Sequence, residues 1–314
     1  MSKPKIAVLV GPTACGKTDT AVELAKEIDG EIISADSMQI YKQMTIGTAK
    51  PTIDEQQGIP HYLIDCVDPK EEYSVACFKE AALKSIDTIL SRHKTPIVVG
   101  GTGLYINGLT LPWGFREKDT DEAIREQLNA ECESLGKEAL YERLRSVDPI
   151  TAEIIHPNNM KRVIRALEIY EVTGKPKSYF DEQASKEELP YDYVMMGIEM
   201  NRALLYERIN RRVDLMVEEG LIDEIKHLLS IGYTEDLIAM KAIGYKEIFP
   251  YLRKEMSLND ALILLKRDTR HFAKRQLTWF RKDKRIKWYD FETFQSKAEM
   301  AKAMADYYKI APII

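Results

Sequence analysis

Short apolar runs and longer amphipathic stretches alternate through the first hundred residues. Ile6-Ala7-Val8-Leu9-Val10 is a continuous apolar run, and residues 19–28 follow it with helical spacing. Glu31-Ile32-Ile33-Ser34-Ala35-Asp36 is a second short run with a polar end, and His61-Tyr62-Leu63-Ile64-Asp65 is a third. Residues 74–93 repeat their apolar positions at the helical period. Pro96-Ile97-Val98-Val99 then stops at Gly100-Gly101. Strands alternating with helices at these lengths predict an α/β fold, a parallel sheet flanked by helices on both faces. In such sheets the polar residues just past the strand ends line the ligand crevice. Here those are residues 11–18, Asp36-Ser37, Asp65 and Gly100-Gly101-Thr102-Gly103.

The pattern changes near residue 113. Residues 119–135, 136–147 and 159–173 have helical periodicity with few strand signals, and strand character returns only at 191–198. The expected organisation is therefore a catalytic core from 1–113 and 191–314, interrupted by a helical insertion domain at 114–190. Helices are expected at 201–231 and 240–252. A long helix should run from an N-cap at Ser257 to 282, before a last strand at 286–291. On that long helix, at roughly 100° per residue, Arg267, Arg270, Lys274 and Arg281 fall within about 60° of one another. Leu262, Leu265, Phe272 and Trp279 occupy much of the other side. This is either a solvated basic face or a footprint for a polyanion.

The turn after the first apolar run carries specific chemistry. It reads Gly11-Pro12-Thr13-Ala14-Cys15-Gly16-Lys17-Thr18, a phosphate-binding loop between a buried strand and a helix. Its glycines let backbone N–H groups point inward, and the helix N-terminus adds partial positive charge. Lys17 can reach the outer phosphates, and the Thr18 hydroxyl can ligate Mg²⁺. The sheet is thus expected to be of the P-loop type. The loop predicts a polyphosphate without saying which molecule carries it.

Composition narrows the setting. The 314 residues carry 30% charged side chains, as a globular protein does, and no apolar run approaches a membrane span. The first strand begins too early to leave room for a signal peptide, so a cytoplasmic location is expected. Cys15, Cys66, Cys77 and Cys132 are scattered, which argues against a structural zinc site. The net charge of −5 speaks mildly against a nucleic-acid partner, but residues 261–290 are locally basic.

P-loop kinases and hydrolases usually place an aspartate after a buried strand to order the Mg²⁺ shell. Here the best buried strand ends in Gly100-Gly101 instead. Asp36, past the second strand, is the other candidate. It can help hold Mg²⁺, take a proton from a nucleophile at the bound phosphate ester, or simply cap a turn.

Eight blocks occur in the order of one family. The first five are 11–18, Asp36-Ser37-Met38-Gln39-Ile40-Tyr41, Gly47-Thr48-Ala49-Lys50-Pro51, 61–65 and Gly100-Gly101-Thr102-Gly103-Leu104-Tyr105. The others are Arg162-Val163-Ile164-Arg165-Ala166-Leu167-Glu168, Ala242-Ile243-Gly244-Tyr245 and Arg275-Gln276-Leu277-Thr278-Trp279-Phe280. Over almost its whole length the chain resembles the bacterial tRNA dimethylallyltransferases, also called tRNA isopentenyltransferases. The resemblance implies transfer of a dimethylallyl group from dimethylallyl diphosphate to the exocyclic amine of the adenosine 3′ of the anticodon. This is position 37, in tRNAs reading codons that begin with U.

It further implies Asp36 as general base, with Thr13 near the ester oxygen and Lys17, Thr18 and Mg²⁺ on the leaving diphosphate. Arg212 matches a family arginine on the diphosphate, with neighbouring Arg208 and Arg211 as alternatives. Asp36, Ser37, Met38, Gln39 and Thr102 would read the extruded adenine and its neighbours. Arg125, Lys161, Arg162, Arg165, Lys274, Arg275, Gln276 and Arg281 would grip the anticodon stem-loop. Cys15 stands where the family more often has Ser, and Lys161 where it often has Gln. A monomer is expected. An enzyme prenylating free adenine nucleotides and a P-loop small-molecule kinase remain as alternatives.

Overall fold

The computed structural model describes residues 3–112 and 120–312, so the boundary expected at 113–114 lies outside the described residues. The chain forms two compact units, Met1–Leu109 with Pro190–Ile314, and Thr110–Leu189.

The first unit is built on six parallel strands: β1 (Lys5–Val10), β2 (Gly30–Ser34), β3 (His61–Tyr62), β4 (Thr95–Gly100), β5 (Asp192–Glu199) and β6 (Lys287–Asp290). Their order across the sheet is β3-β2-β4-β1-β5-β6. Both faces of β1, β2 and β4 are covered, which is why β1 and β4 read as nearly continuous apolar runs; β2 also buries Glu31, which pairs with Arg92, and Ser34. The connections leave β1 and β4 in opposite directions, so a crevice opens at the carboxyl ends of these two neighbours.

Helices α1 (Lys17–Glu27), α2 (Ile53–Gln56), α3 (Val75–Ser91) and α4 (Gly103–Thr110) belong to the first half of the chain. The second unit consists of α5 (Glu122–Leu135), α6 (Lys137–Val147), α7 (Pro149–Ile154), α8 (Met160–Thr173) and α9 (Lys177–Ser185). Leu128, Leu140, Leu144, Val163 and Leu167 make its core. Returning to the first unit, the chain forms α10 (Arg202–Glu218), α11 (Leu221–Ser230), α12 (Phe249–Leu252), α13 (Leu258–Phe280) and α14 (Lys297–Ile310). Helices α1 and α14 pack with the sheet in one core, through Val22, Leu24, Met300 and Met304. A second core gathers Ile40, Tyr41, Met44, Leu221, Ile225, Tyr245 and Leu265.

Three elements differ from the sequence-based expectation. The third strand is two residues long, because Leu63 and Asp65 turn into positive φ (60° and 54°). The helix expected at 240–252 is instead a 3₁₀ turn at Ala239–Lys241, an irregular stretch and the short α12. Gly244 breaks it with φ +108°, where an added Cβ would lie 3.0 Å from the Gly47 carbonyl oxygen. Helix α14, started by a Ser296 side-chain cap, was not anticipated. The long helix does begin at its Ser257 cap. On α13 the buried side chains are Ala261, Leu265, Ala273, Gln276 and Phe280, whereas Leu262, Phe272 and Trp279 are only partly covered. No helix among the described residues is long and apolar enough to cross a membrane.

Candidate active site

A cleft of about 630 Å³ lies at the crevice. The phosphate loop forms one wall, through Thr13, Ala14, Gly16, Lys17 and Thr18. Asp36 and Gln39 follow β2, and Gly100 and Gly101 end β4. Residues 45–52 add a rim, and α10 contributes Arg208, Arg211 and Arg212.

The loop takes the curled path its sequence requires. Ala14 (φ 64°) and Gly16 (φ 93°) are left-handed, and α1 starts at Lys17. Lys17 Nζ donates to the Pro12 carbonyl at 2.6 Å. Not every loop N–H points to the cleft: that of Thr13 donates to Gln276 Oε1 at 2.8 Å. Arg208 Nε donates to the Ala14 carbonyl at 2.9 Å, and its guanidinium lies 5.0 Å from the centre of the Phe291 ring. It therefore braces the loop.

Asp36 has two tasks open to it. Its Oδ1 accepts the N–H groups of Met38 (2.9 Å) and Gln39 (3.3 Å), which closes the turn after β2. Among the described residues Oδ2 takes no hydrogen bond, and the residue lines the cleft. Both readings of an aspartate here, turn former and proton acceptor, are thus compatible. Thr102 Oγ1 accepts the Ser37 N–H at 3.0 Å. Gln39 Nε2 donates to the Ala49 carbonyl at 3.0 Å, and its Oε1 accepts from the Ser34 hydroxyl at 3.2 Å. Its amide is thereby held by the protein, whereas it was expected on adenine. Met38 packs on the second core.

Arg212 sits in the cleft wall with no carboxylate partner among the described residues. Crowding by protein lowers its pKa from the usual value, opposed by the negative charges of Asp36 and Glu55. An arginine still remains charged. Lys17, Lys50 and the three α10 arginines line the cleft alongside the carboxylates of Asp19, Asp36, Glu55 and Glu219, so the cations available to a diphosphate are concentrated at the phosphate loop and α10.

Several residues expected on the stem-loop have other engagements. Gln276 is 6% exposed, with both ends of its amide bonded inside the protein. In the second unit Arg125 and Arg165 converge on fully buried Glu168, at 3.0 and 2.9 Å. Arg281 pairs with Glu199 at 2.9 Å and Arg270 donates to Asn210 at 2.7 Å. Lys274 and Arg275 on α13 are exposed, as are Lys161 and Arg162 at the start of α8. The basic face of α13 is thus narrower than the helical wheel suggested.

Two contributors were not singled out from sequence. The Glu224 carboxylate accepts the N–H groups of Thr45, Ile46 and Gly47 at 2.7–3.0 Å, and the Tyr245 hydroxyl at 2.7 Å. It shapes the 45–52 rim. Buried Lys50, also in the rim, pairs with Asp65 and donates to the Tyr41 carbonyl. No local spacing connects these partners.

The profile of a family described as IPP transferase matches residues 39–283. The chain belongs to this family. A second profile, isopentenyl transferase, matches 4–69. A tRNA dimethylallyltransferase of Acetivibrio thermocellus is 52% identical over 302 residues, covering 96% of each chain. Another tRNA dimethylallyltransferase, from Alkaliphilus oremlandii, is 50% identical over 98% of each chain. Among solved structures, a tRNA isopentenylpyrophosphate transferase from Bacillus halodurans is similar at TM-score 0.72 and 46% identity, covering 98% of this chain and 97% of its own. A eukaryotic dimethylallyltransferase acting on tRNA gives TM-score 0.83 at 32% identity, with 99% of this chain and 81% of the other covered.

Among the described residues no group of three or more His, Cys, Asp or Glu could hold a metal ion unaided. The Thr18 hydroxyl lines the cleft together with the carboxylates of Asp19 and Asp36. The Asp19 carboxylate pairs with Lys297, which leaves the Thr18 hydroxyl as the protein donor; one such oxygen is in keeping with Mg²⁺, which keeps several waters and shares the oxygens of a substrate phosphate.

Proposed function

We propose that this protein transfers a dimethylallyl group from dimethylallyl diphosphate to the exocyclic amine of adenosine 37 in tRNAs reading codons that begin with U. The carrying observation is one cleft lined by a phosphate loop, Arg212 and the carboxylate of Asp36. The C1–O bond of the allylic diphosphate breaks while a bond forms between C1 and the adenine nitrogen. Lys17, Arg212 and inward-pointing loop amides stabilise charge growing on the departing diphosphate. Mg²⁺, held by Thr18 and the phosphate oxygens, would supply further neutralisation.

The adenine amine is a weak nucleophile because its lone pair is delocalised into the ring. Asp36 Oδ2 takes the proton that the amine loses on attack. The base must leave its stack to reach the cleft, and Ser37 and Thr102, joined to each other beside Asp36, are the residues that would read it. Exposed Lys274 and Arg275 of the first unit, and independently exposed Lys161 and Arg162 of the second, are the cations available to stem-loop phosphates, contacts that orient RNA without reading its sequence.

Two features favour this reading over prenylation of a free nucleotide. A relative named for tRNA matches 96% of the chain, the second unit included, and a nucleotide acceptor needs no helical second unit. A kinase is disfavoured because β4 ends in Gly100-Gly101 rather than an aspartate. Incubation with dimethylallyl diphosphate and Mg²⁺, offering unmodified tRNA or AMP, tests the choice. Prenylated tRNA is expected, and Asp36→Ala should nearly abolish turnover while tRNA still binds. Transfer to AMP alone, or phosphoryl transfer from ATP, would overturn the proposal.

A further inference from the structure

We propose that Gln276, which lines the cleft with only 6% of its surface exposed, is a positioning residue that sets the distance between the leaving-group subsite and the proton acceptor, its amide being committed to the protein and not to tRNA. The inference rests on the placement of both subsites in the cleft described above. Gln276 is a polar side chain in the buried stripe of α13, where an unpaired amide would be costly. Both its ends are paired across long stretches of sequence. Oε1 accepts the Thr13 N–H of the phosphate loop at 2.8 Å, and Nε2 donates to the Gly101 carbonyl at 3.0 Å.

Gly101 is itself tied to the aspartate. The next residue, Thr102, donates its N–H to the Ala35 carbonyl at 3.3 Å and accepts the Ser37 N–H at 3.0 Å. Ala35 and Ser37 flank Asp36. One amide therefore joins the loop that grips diphosphate to the strand end that fixes the base. An added Cβ at 101 would overlap Gln276 Nε2, so the amide keeps this position only with glycine there. The amide and the missing side chain are parts of one joint.

This joint explains why a glutamine, rather than an arginine or lysine, is needed. It must offer an acceptor to one backbone and a donor to another; the side-chain amide does both without charge, whereas arginine and lysine only donate. A cation here would leave the Thr13 N–H unpaired. Displacement by about 1 Å between reacting groups can lower a rate by roughly a hundredfold.

The test uses the full chain, unmodified tRNA and dimethylallyl diphosphate, with Gln276→Met, which retains bulk and removes both hydrogen bonds. The expected result is a single-turnover rate, at saturating substrates, lower by roughly 10- to 100-fold. The tRNA dissociation constant should stay within about twofold, since α13 keeps its exposed basic residues. Gly101→Ala should reproduce the defect from the other side of the joint. The double variant should be no slower than the worse single one, because both break the same link.

A raised tRNA dissociation constant with an unchanged saturating rate would overturn the proposal in favour of a direct RNA contact. A lowered melting temperature with an unchanged rate would overturn it in favour of a merely structural bond. If Gln276→Met does not fold, Gly101→Ala carries the same comparison. Asp36→Asn and Lys17→Ala are measured alongside. Full activity in those would refute the site assignment itself, whereas their loss with an active Gln276→Met refutes only the joint.

Discussion

Replacing Glu224 by alanine tests whether a remote carboxylate shapes the cleft. In the structure that side chain accepts three consecutive backbone N–H groups, from Thr45, Ile46 and Gly47, and the hydroxyl of fully buried Tyr245. Burial, and then the adjacent Glu224 charge, push the Tyr245 phenol far above its usual pKa, so it stays a donor. The Thr45 bond is exposed and water can replace it. The Ile46 and Gly47 donors and the tyrosine hydroxyl are at least partly covered, and each unsatisfied group costs about 1–3 kcal/mol. Discounting for partial exposure and local relaxation, the variant should lose about 2–4 kcal/mol. In a unit of this size that lowers the melting temperature by roughly 5–10 °C.

The functional consequence follows from where the freed segment lies. Thr45, Ile46, Thr48, Ala49 and Lys50 all face the cleft. A rim that samples several conformations lowers kcat/KM for dimethylallyl diphosphate by about tenfold if the competent form falls to a tenth of the population. Calorimetry and steady-state prenyl transfer measure the two effects. Glu224→Gln should fall between, since its amide keeps one acceptor while turning a donor toward other donors. A melting temperature within 1 °C of the parent's (about 0.3 kcal/mol by the same scaling) and unchanged kinetics would refute the reasoning.

Two further outcomes are expected. Burial alone would raise the Glu168 carboxyl, but hydrogen bonds from Arg165, Arg125 and the Asp121 N–H outweigh it and hold its pKa below the usual value. Its stabilisation is complete above the unfolded glutamate value of about 4.3 and is lost as pH falls through the lower folded value. Melting followed from neutral pH downward should therefore show an acid-side loss that is smaller in Glu168→Gln; identical profiles would remove this carboxylate from the account. On α13, Lys274→Ala with Arg275→Ala should weaken tRNA binding for all sequences and flatten the slope of log affinity against log salt by about 1.5. An unchanged slope would place the RNA elsewhere.

Local chemistry made part of this protein legible from its residues alone. The phosphate loop declared itself because a curled backbone needs glycine at particular places and because Lys-Thr opens the following helix. The strands β1 and β4 were readable because burial on both faces leaves them almost wholly apolar. Ser257 marked the start of α13 because a hydroxyl must satisfy the first free N–H groups. Asp36 was legible as a candidate, by its position after a strand.

Tertiary structure decided the rest. Whether an arginine faces RNA or a buried carboxylate depends on a partner dozens of residues away, as Arg125 and Glu168 show. Gln276 looked like one more polar residue on a basic helix, and only folding put Thr13 and Gly101 at its two ends. Glu224 meets its loop across nearly 180 residues of sequence. Periodicity and turn preference act over a few residues, so they reveal elements and loop shapes. Hydrogen-bond pairing between distant segments leaves no period, and it emerges only when the sheet and α13 have brought those segments together.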